Sequence, residues 1–277
     1  MTGKDVPEEI IERLRFLVRS YNDVNRVNVS TQNRLQQMID APEKGYNRFV
    51  ADMDSLKGKL IREMGKVLMH WDIWAMWLKE MPGCGPWIAG SLILAHYYKF
   101  VPICHECGAD IVKLEADDGN KFTCPECGKD SKGEGNLIHR VGIREWRSIS
   151  AWQKYCGRFC DETGKMAKRR KGQQANWSTR LRTVTYHFSE VINKQKKGHL
   201  YRDHMDRIKE IRAVKHPEAK KGHIHNMGKH ETARLFLSHF MQVACEIEGI
   251  PVPSPWVIAH GGHTHELKPF YWETTCS

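Results

Sequence analysis

A mainly α protein with one small β insertion is the fold class this sequence predicts, and three observations carry that expectation. Two long stretches, residues 7–39 and a second running to about Glu80, each carry a stripe of residues three and four apart, the period of a helical seam. The stretch Met81-Pro82-Gly83-Cys84-Gly85-Pro86-Trp87 forces a sharp turn and opens into an apolar run that reads as a further helix. Between Cys104 and Cys127 stand two Cys-x-x-Cys pairs, each followed by glycine. The predicted organisation is a long helical hairpin or coiled coil over 1–80, a helix-hairpin-helix-containing helical domain over 81–100 and 136–250, an inserted small β zinc ribbon over 101–135, and an extended C-terminal tail over 251–277.

The chain has 277 residues, enough for one large domain or two small ones with ample core. Its 43 Lys and Arg against 33 Asp and Glu give a formal charge of +10, which favours a polyanionic partner and says nothing of fold. No apolar run approaches the roughly 20 residues a bilayer span needs, and residues 1–14 lack the apolar core of a signal peptide. No membrane partner is expected. Nine cysteines, odd in number and partly arranged in pairs two residues apart, suit a reducing compartment and a metal better than a disulfide framework. An intracellular location, cytoplasmic or nucleoid-associated, is the expectation.

The first helix carries Ile10, Leu14, Leu17, Tyr21, Val24, Asn28, Thr31, Leu35 and Met38 on one seam, with polar Asn28 and Thr31 interrupting its middle. Residues 40–47 break it. The second helix places Phe49, Met53, Leu56, Leu60, Met64, Val67, Trp71, Trp74 and Leu78 on a matching stripe. The two helices either fold back on each other or pair with another chain, so a homo-oligomer formed through residues 10–80 is a candidate assembly. Trp71, Trp74 and Trp77 read as packing residues. At the turn, Gly83 and Gly85 leave N–H groups pointing outward at a helix start, a ready seat for phosphate, with Trp87 beside it. The plainer reading is a connector whose glycines serve close packing.

Cys104-His105-Glu106-Cys107-Gly108 and Cys124-Pro125-Glu126-Cys127-Gly128 have the form of two zinc knuckles. A thiolate pair two residues apart spans one edge of a tetrahedron, and four thiolates close the shell around Zn2+ in a structural role. Ile111 to Leu114 and Lys121 to Thr123 read as a small antiparallel hairpin between them, and Gly128 to Gly135 as a glycine- and lysine-rich tether. Beyond it, residues 149–160 resume helical character. Lys165, Lys168, Arg169, Arg170 and Lys171 then make a basic loop. Residues 177–194 form an amphipathic helix with Leu181, Val184, Phe188 and Val191 inward and Arg180 and Arg182 toward the other side. Basic residues beside glycine turns are candidate phosphate contacts.

In their order these features resemble the transposases of the one-hundred-and-ten insertion-sequence family and the related pilin-gene invertases. Residues 19–38, with Asn33-Arg34-Leu35, resemble that family's coiled coil, and Pro82-Gly83-Cys84-Gly85-Pro86 its hairpin. Tyr155-Cys156-Gly157 resembles the start of its serine loop. Lys171-Gly172, Asn176 and Leu181-Arg182 resemble the segment after the serine, and Gly228-Lys229 with residues 233–241 its last helix. The family's RuvC-like acidic domain has no counterpart here. Where the family carries its nucleophilic serine this chain reads Asp161-Glu162-Thr163-Gly164, leaving Thr163 as the nearest hydroxyl and the one catalytic candidate. The zinc ribbon is additional to the family pattern. The resemblance implies nucleic-acid binding, to DNA or to a structured RNA, with recombinase chemistry lost.

Two histidine groups remain. His216, His223, His225 and His230 lie in a Lys- and Gly-rich stretch, and His260, His263 and His265 precede Glu266 near the C-terminus. His260, His263 and His265 with Glu266, three imidazoles and a carboxylate within seven residues, are a second metal candidate beside the plainer reading of an exposed loop. Phe270, Tyr271 and Trp272 would anchor the chain end. The favoured function is a nucleic-acid-binding protein that grips the phosphate backbone through glycine turn and basic loop. Two alternatives stand beside it: a strand-transfer or nuclease subunit needing a partner or metal, and a structural or assembly protein using the coiled coil and ribbon for protein contacts.

Overall fold

In the computed structural model of the chain, the residues described are 1–37, 46–111, 121–132, 138–160, 164–166, 168, 175–253 and 267–272. The molecule is mainly helical, with two small two-stranded sheets among the described residues. It divides into two compact units: Met1–Ile93 with Trp146–Ser277, and Leu94–Glu145.

The larger unit opens with α1 (Glu8–Gln37) and α2 (Tyr46–Leu68). They run antiparallel. Arg13 faces Glu63 at 3.5 Å near one end, and Asn28 Nδ2 donates to Asp54 Oδ1 at 2.7 Å further along. Asn28, the polar interruption of the seam, is 1% exposed and so spends its buried amide on the partner helix. The apolar residues of the seam are fully buried toward the base of the hairpin, where Leu14, Leu17, Met64 and Val67 meet the rest of the unit. Phe49 and Leu56, expected on the same stripe, are exposed at 62% and 45%. Two helices alone cannot cover each other's whole apolar faces.

The second helix does not run on to Glu80. It stops at Leu68, where the N–H groups of Met69, His70 and Trp71 bond three residues back and tighten the last turn. The chain then rewinds as a single π-helical turn, Trp74–Leu78. This break re-aims a dense apolar run so that Trp71, Ile73, Trp74, Trp77 and Leu78 are all buried, more than one face of a continuous α-helix presents. The three tryptophans expected to pack do so.

After the glycine turn, α3 (Pro86–Tyr97) begins with proline in its first position. Beyond the smaller unit come α4 (Ile149–Tyr155), capped by Ser148, and α5 (Thr179–Asn193), capped by Ser178. Next are α6 (Leu200–Lys215) and α7 (Lys221–Glu248). The long α7 packs on α4, α5 and α6. Phe188 of α5 stacks on Phe236 of α7 at 3.8 Å between centroids, and Trp77 and Tyr201 close on the same ring. Along α5 the buried residues include Leu181, Val184, Phe188 and Ile192, while Val191, expected inward, is half-buried one position off the face. The helix expected over 149–160 ends at Tyr155, because Gly157 turns left-handed at φ +68° and the N–H groups of Gly157 and Arg158 cap it onto Lys154 and Gln153. Residues 270–272 do anchor the tail. Phe270 O accepts from Trp77 Nε1 at 2.8 Å, Tyr271 Oη accepts from Leu200 N, and Trp272 Nε1 donates to Glu246 at 2.6 Å.

In the smaller unit β1 (Tyr98–Ile103) pairs antiparallel with β4 (Ile138–Ile143), Tyr98 opposite Ile143 and Ile103 opposite Ile138. Strand β2 (Lys121–Thr123) pairs antiparallel with β3 (Asp130–Lys132). The expected hairpin between Ile111 to Leu114 and Lys121 to Thr123 falls for the most part outside the described residues. Residues 112–120 are not described, and the partner strand that is described for Lys121–Thr123 lies within the expected tether. Each knuckle closes its own hairpin, since the turn between its cysteines reverses the chain onto the strand that delivered it. Among the described residues no helix is long and apolar enough to cross a membrane.

Candidate metal centre and nucleic-acid interface

The two knuckles repeat one another bond for bond. Cys104 N donates to Ala109 O at 2.8 Å and Cys124 N to Lys129 O at 2.9 Å; Gly108 N and Gly128 N each donate to the first cysteine's carbonyl at 3.0 Å. This local geometry comes from Cys-x-x-Cys-Gly itself, which explains why it was legible as a motif. Cys104 and Cys124 are buried, Cys107 and Cys127 exposed. The four sulfurs lie within 4.8 Å of one another, with Cys104 to Cys127 at 3.6 Å and Cys107 to Cys124 at 3.5 Å. Thiolates around a tetrahedral ion with bonds of about 2.3 Å stand roughly 3.8 Å apart, so the set is compatible with a metal site. The N–H groups of Cys107 and then Glu106, aimed at the Cys104 sulfur, pull its thiol down to about 6, whereas the thiols of Cys107 and Cys127 are pushed up beside their neighbouring sulfurs. Lys129 of the second knuckle pairs with Glu106 of the first at 2.7 Å, tying the two together.

At the glycine turn, Gly83 has φ +93°, and a Cβ there would meet Val191 and Ile192 at 3.2 and 3.3 Å. His199 Nε2 contacts Pro82 O at 3.0 Å. Trp87 is half-buried, donates from Nε1 to Asn22 Oδ1 at 3.0 Å and lies 5.5 Å from both Tyr21 and His187. Gly83 and Trp87 thus make packing contacts. Gly85 is the exposed member, with open space where a side chain would be. Ala89 N is the first N–H of α3 given a helical acceptor, on Gly85 O.

Of the basic residues, Lys165, Lys168 and Arg180 are exposed, and Arg182 is half-buried with its guanidinium 4.9 Å over the Trp177 ring. Arg169, Arg170 and Lys171 lie outside the described residues, as do Thr163 and His260, His263 and His265. In the other histidine group, His216 follows α6, His223 is exposed on α7 and His230 is buried. Among the described residues the four cysteines form the metal-compatible group.

The structure adds residues that sequence reasoning missed. A cavity of about 380 Å³ is lined by Arg158, Arg182, Thr183, Tyr186, Lys229 and His230, with Met166 and Asn226 at its side. Arg158 is only 5% exposed; its Nε donates to Thr185 Oγ1 at 2.8 Å and one terminal nitrogen to Arg182 O at 3.1 Å. Burial, then the neighbouring Arg182, lowers its pKa to about 10. Lys229 pairs with Glu190 at 2.5 Å and lies 4.9 Å over the Tyr186 ring. The signal for Arg158 was present in outline: a cation placed directly after a helix-ending glycine is delivered to whatever the helix end abuts. Gly157 serves that approach, since a Cβ there would lie 2.9 Å from Trp177 and 3.1 Å from Arg182.

Fold and site together define a mainly helical protein with a four-cysteine cluster compatible with a metal ion. No family model and no curated protein matches the chain.

Proposed function

We propose that this is a nucleic-acid-binding protein, transposase-like in origin, that grips a phosphate backbone without recombinase chemistry. The observation that supports it best is the gathering of Arg158, Arg182 and Lys229 around one cavity, with exposed Lys165, Lys168 and Arg180 carrying further positive charge. Of these, Lys229 is ion-paired with Glu190 at 2.5 Å. In this reading the exposed Gly85 end of the turn, leading into α3 as the second half of a helix-hairpin-helix, offers backbone N–H groups to a further phosphate. Zinc is the metal that four thiolates in a closed shell select, and its role is to fold the ribbon. The apolar residues left exposed on the hairpin, Phe16, Val27, Phe49 and Leu56, favour a second copy of the chain as a partner of residues 10–80.

The test is a salt titration of binding to duplex DNA, a branched DNA junction and a structured RNA. Four phosphates neutralised on duplex DNA give a slope of log affinity against log salt of roughly −3 to −4. Flat, weak binding to all three ligands would end the proposal and leave the assembly reading in its place.

A further inference from the structure

Four aromatic rings on the larger unit form one continuous series of contacts. Tyr21 of α1 lies 5.5 Å from Trp87 of α3, and Trp87 lies 5.5 Å from His187 of α5. His187 in turn lies 6.0 Å from its chain neighbour Tyr186, centroid to centroid. Trp77, Phe188 and Phe236 are fully buried, but this series reaches the surface. Tyr21 and Trp87 are half-buried, His187 is exposed, and Tyr186 is 45% exposed. The rings are also held in place. The Trp87 indole N–H donates to Asn22 Oδ1 at 3.0 Å, and Lys229 Nζ sits 4.9 Å over one face of Tyr186. Packing between α1, α3 and α5 accounts for Tyr21 and Trp87. It leaves the two exposed rings at the α5 end without a reason to be aligned with them.

We infer that this row is a stacking platform for the unpaired bases of a single-stranded nucleic acid, with His187 and Tyr186 as the rings the bases reach. A base inside a duplex has both faces covered by its neighbours, so a protein ring stacks on it only where the strand is unpaired. Ring-to-ring steps of 5.5 and 6.0 Å exceed the roughly 3.4 Å between stacked bases of a duplex, which suits a strand drawn out of its own stack. Rings already fixed by their neighbours lose little freedom when a base settles on them. The charge around them is of the right sign. Arg180 and Lys194, seven residues before and after His187 on α5, are exposed on its face at about 10 Å to either side, within reach of the phosphates that flank a stacked base. The exposed Gly85 stands two residues before Trp87. The inference rests on the nucleic-acid reading above and names its ligand as an unpaired strand.

Fluorescence anisotropy of the full chain tests it with three short DNA probes of one length. They are a single strand of mixed sequence, the duplex of that sequence, and an abasic strand that carries the phosphates without the bases. The single strand should bind most tightly. His187 is exposed, so His187→Ala should keep the unfolding temperature. It should weaken the single strand about fivefold or more and leave the abasic strand unchanged. The salt slope should also stay the same, since a stacked ring neutralises no phosphate. His187→Phe puts a ring back and should restore the affinity. A single strand that binds His187→Ala as it binds the wild type overturns the inference, as does a loss that His187→Phe does not recover. Equal loss on the abasic strand, or a slope shallower by about one, would make His187 a phosphate contact and overturn it as well. The platform and the broader reading fail differently. Salt-dependent binding with no preference for unpaired bases ends the platform alone, whereas no binding to any of the three probes ends the nucleic-acid reading and the platform with it.

Discussion

Gly83 and Gly85 stand one residue apart in one turn and do different work. At φ +93°, with Val191 and Ile192 closing on it, Gly83 has neither the backbone freedom nor the space for a side chain. Gly83→Ala should therefore destabilise the fold by about 1–2 kcal/mol, read by denaturant unfolding. At Gly85 a side chain meets open space, so Gly85→Val should leave stability nearly unchanged. If the turn touches phosphate, the same change weakens nucleic-acid binding to a similar degree across sequences, because backbone contacts carry no base information. Loss of affinity for one sequence only would contradict that role. The sequence showed both glycines as one motif, since what separates them is the approach of α5, more than a hundred residues away. His230 escaped for the same reason: within its Lys- and Gly-rich stretch it resembles three neighbouring histidines, and only the packing of α7 on α5 buries it with empty nitrogens.

Elements whose geometry is written in adjacent residues were read more faithfully than those set by distant packing. The knuckles follow from Cys-x-x-Cys-Gly, and α1 from a seam of regular fours and threes with acidic residues at its start. The end of α2 at Leu68 and the pairing of Lys121–Thr123 with Asp130–Lys132 depend on where apolar side chains and returning strands find partners, which periodicity does not encode. Two tests belong here. Asn28→Ala removes a buried bond from the amide to the Asp54 carboxylate and should cost roughly 1–2 kcal/mol, measured as a lower denaturation midpoint at constant m. Cys107→Ser breaks the thiolate set, so bound zinc should fall to background by metal analysis while the far-UV helical signal of the larger unit persists. Collapse of the helical signal together with zinc would mean that the ribbon is needed for the helices to fold. A wild-type protein isolated without metal would remove the premise.

Across the whole molecule, charge excess and buried imidazoles pull stability in a direction that can be worked out. His96, His230 and His239 each have a pKa lowered to about 3, first by burial. For His239 the neutral ring is also fixed by its bonds: Nδ1 accepts from Tyr201 Oη at 2.8 Å and Nε2 donates to Leu267 O at 3.1 Å, leaving no site for a second proton without losing one of them. Because the folded values lie below the ordinary value near 6.5, the unfolded chain binds more protons between the two. Stability should therefore be level with respect to these groups above pH 7 and fall as pH drops through 6.5 toward 3, each histidine adding a slope of up to roughly 1.4 kcal/mol per pH unit. Carboxylates act later and with the same sign. Lys229 holds Glu190 below its usual range, so that pair's contribution is lost only as pH falls beneath the ordinary carboxylate value. Urea unfolding at pH 7.5, 6.0 and 5.0, values about the ordinary histidine pKa, isolates the imidazole window. His230→Leu is the informative comparison, since it deletes one titrating group that has no bond to lose. Its stability at pH 7.5 should match or exceed the wild type, and its decline toward pH 5.0 should be shallower. Parallel curves for the two proteins would show that His230 is not buried neutral in the folded chain.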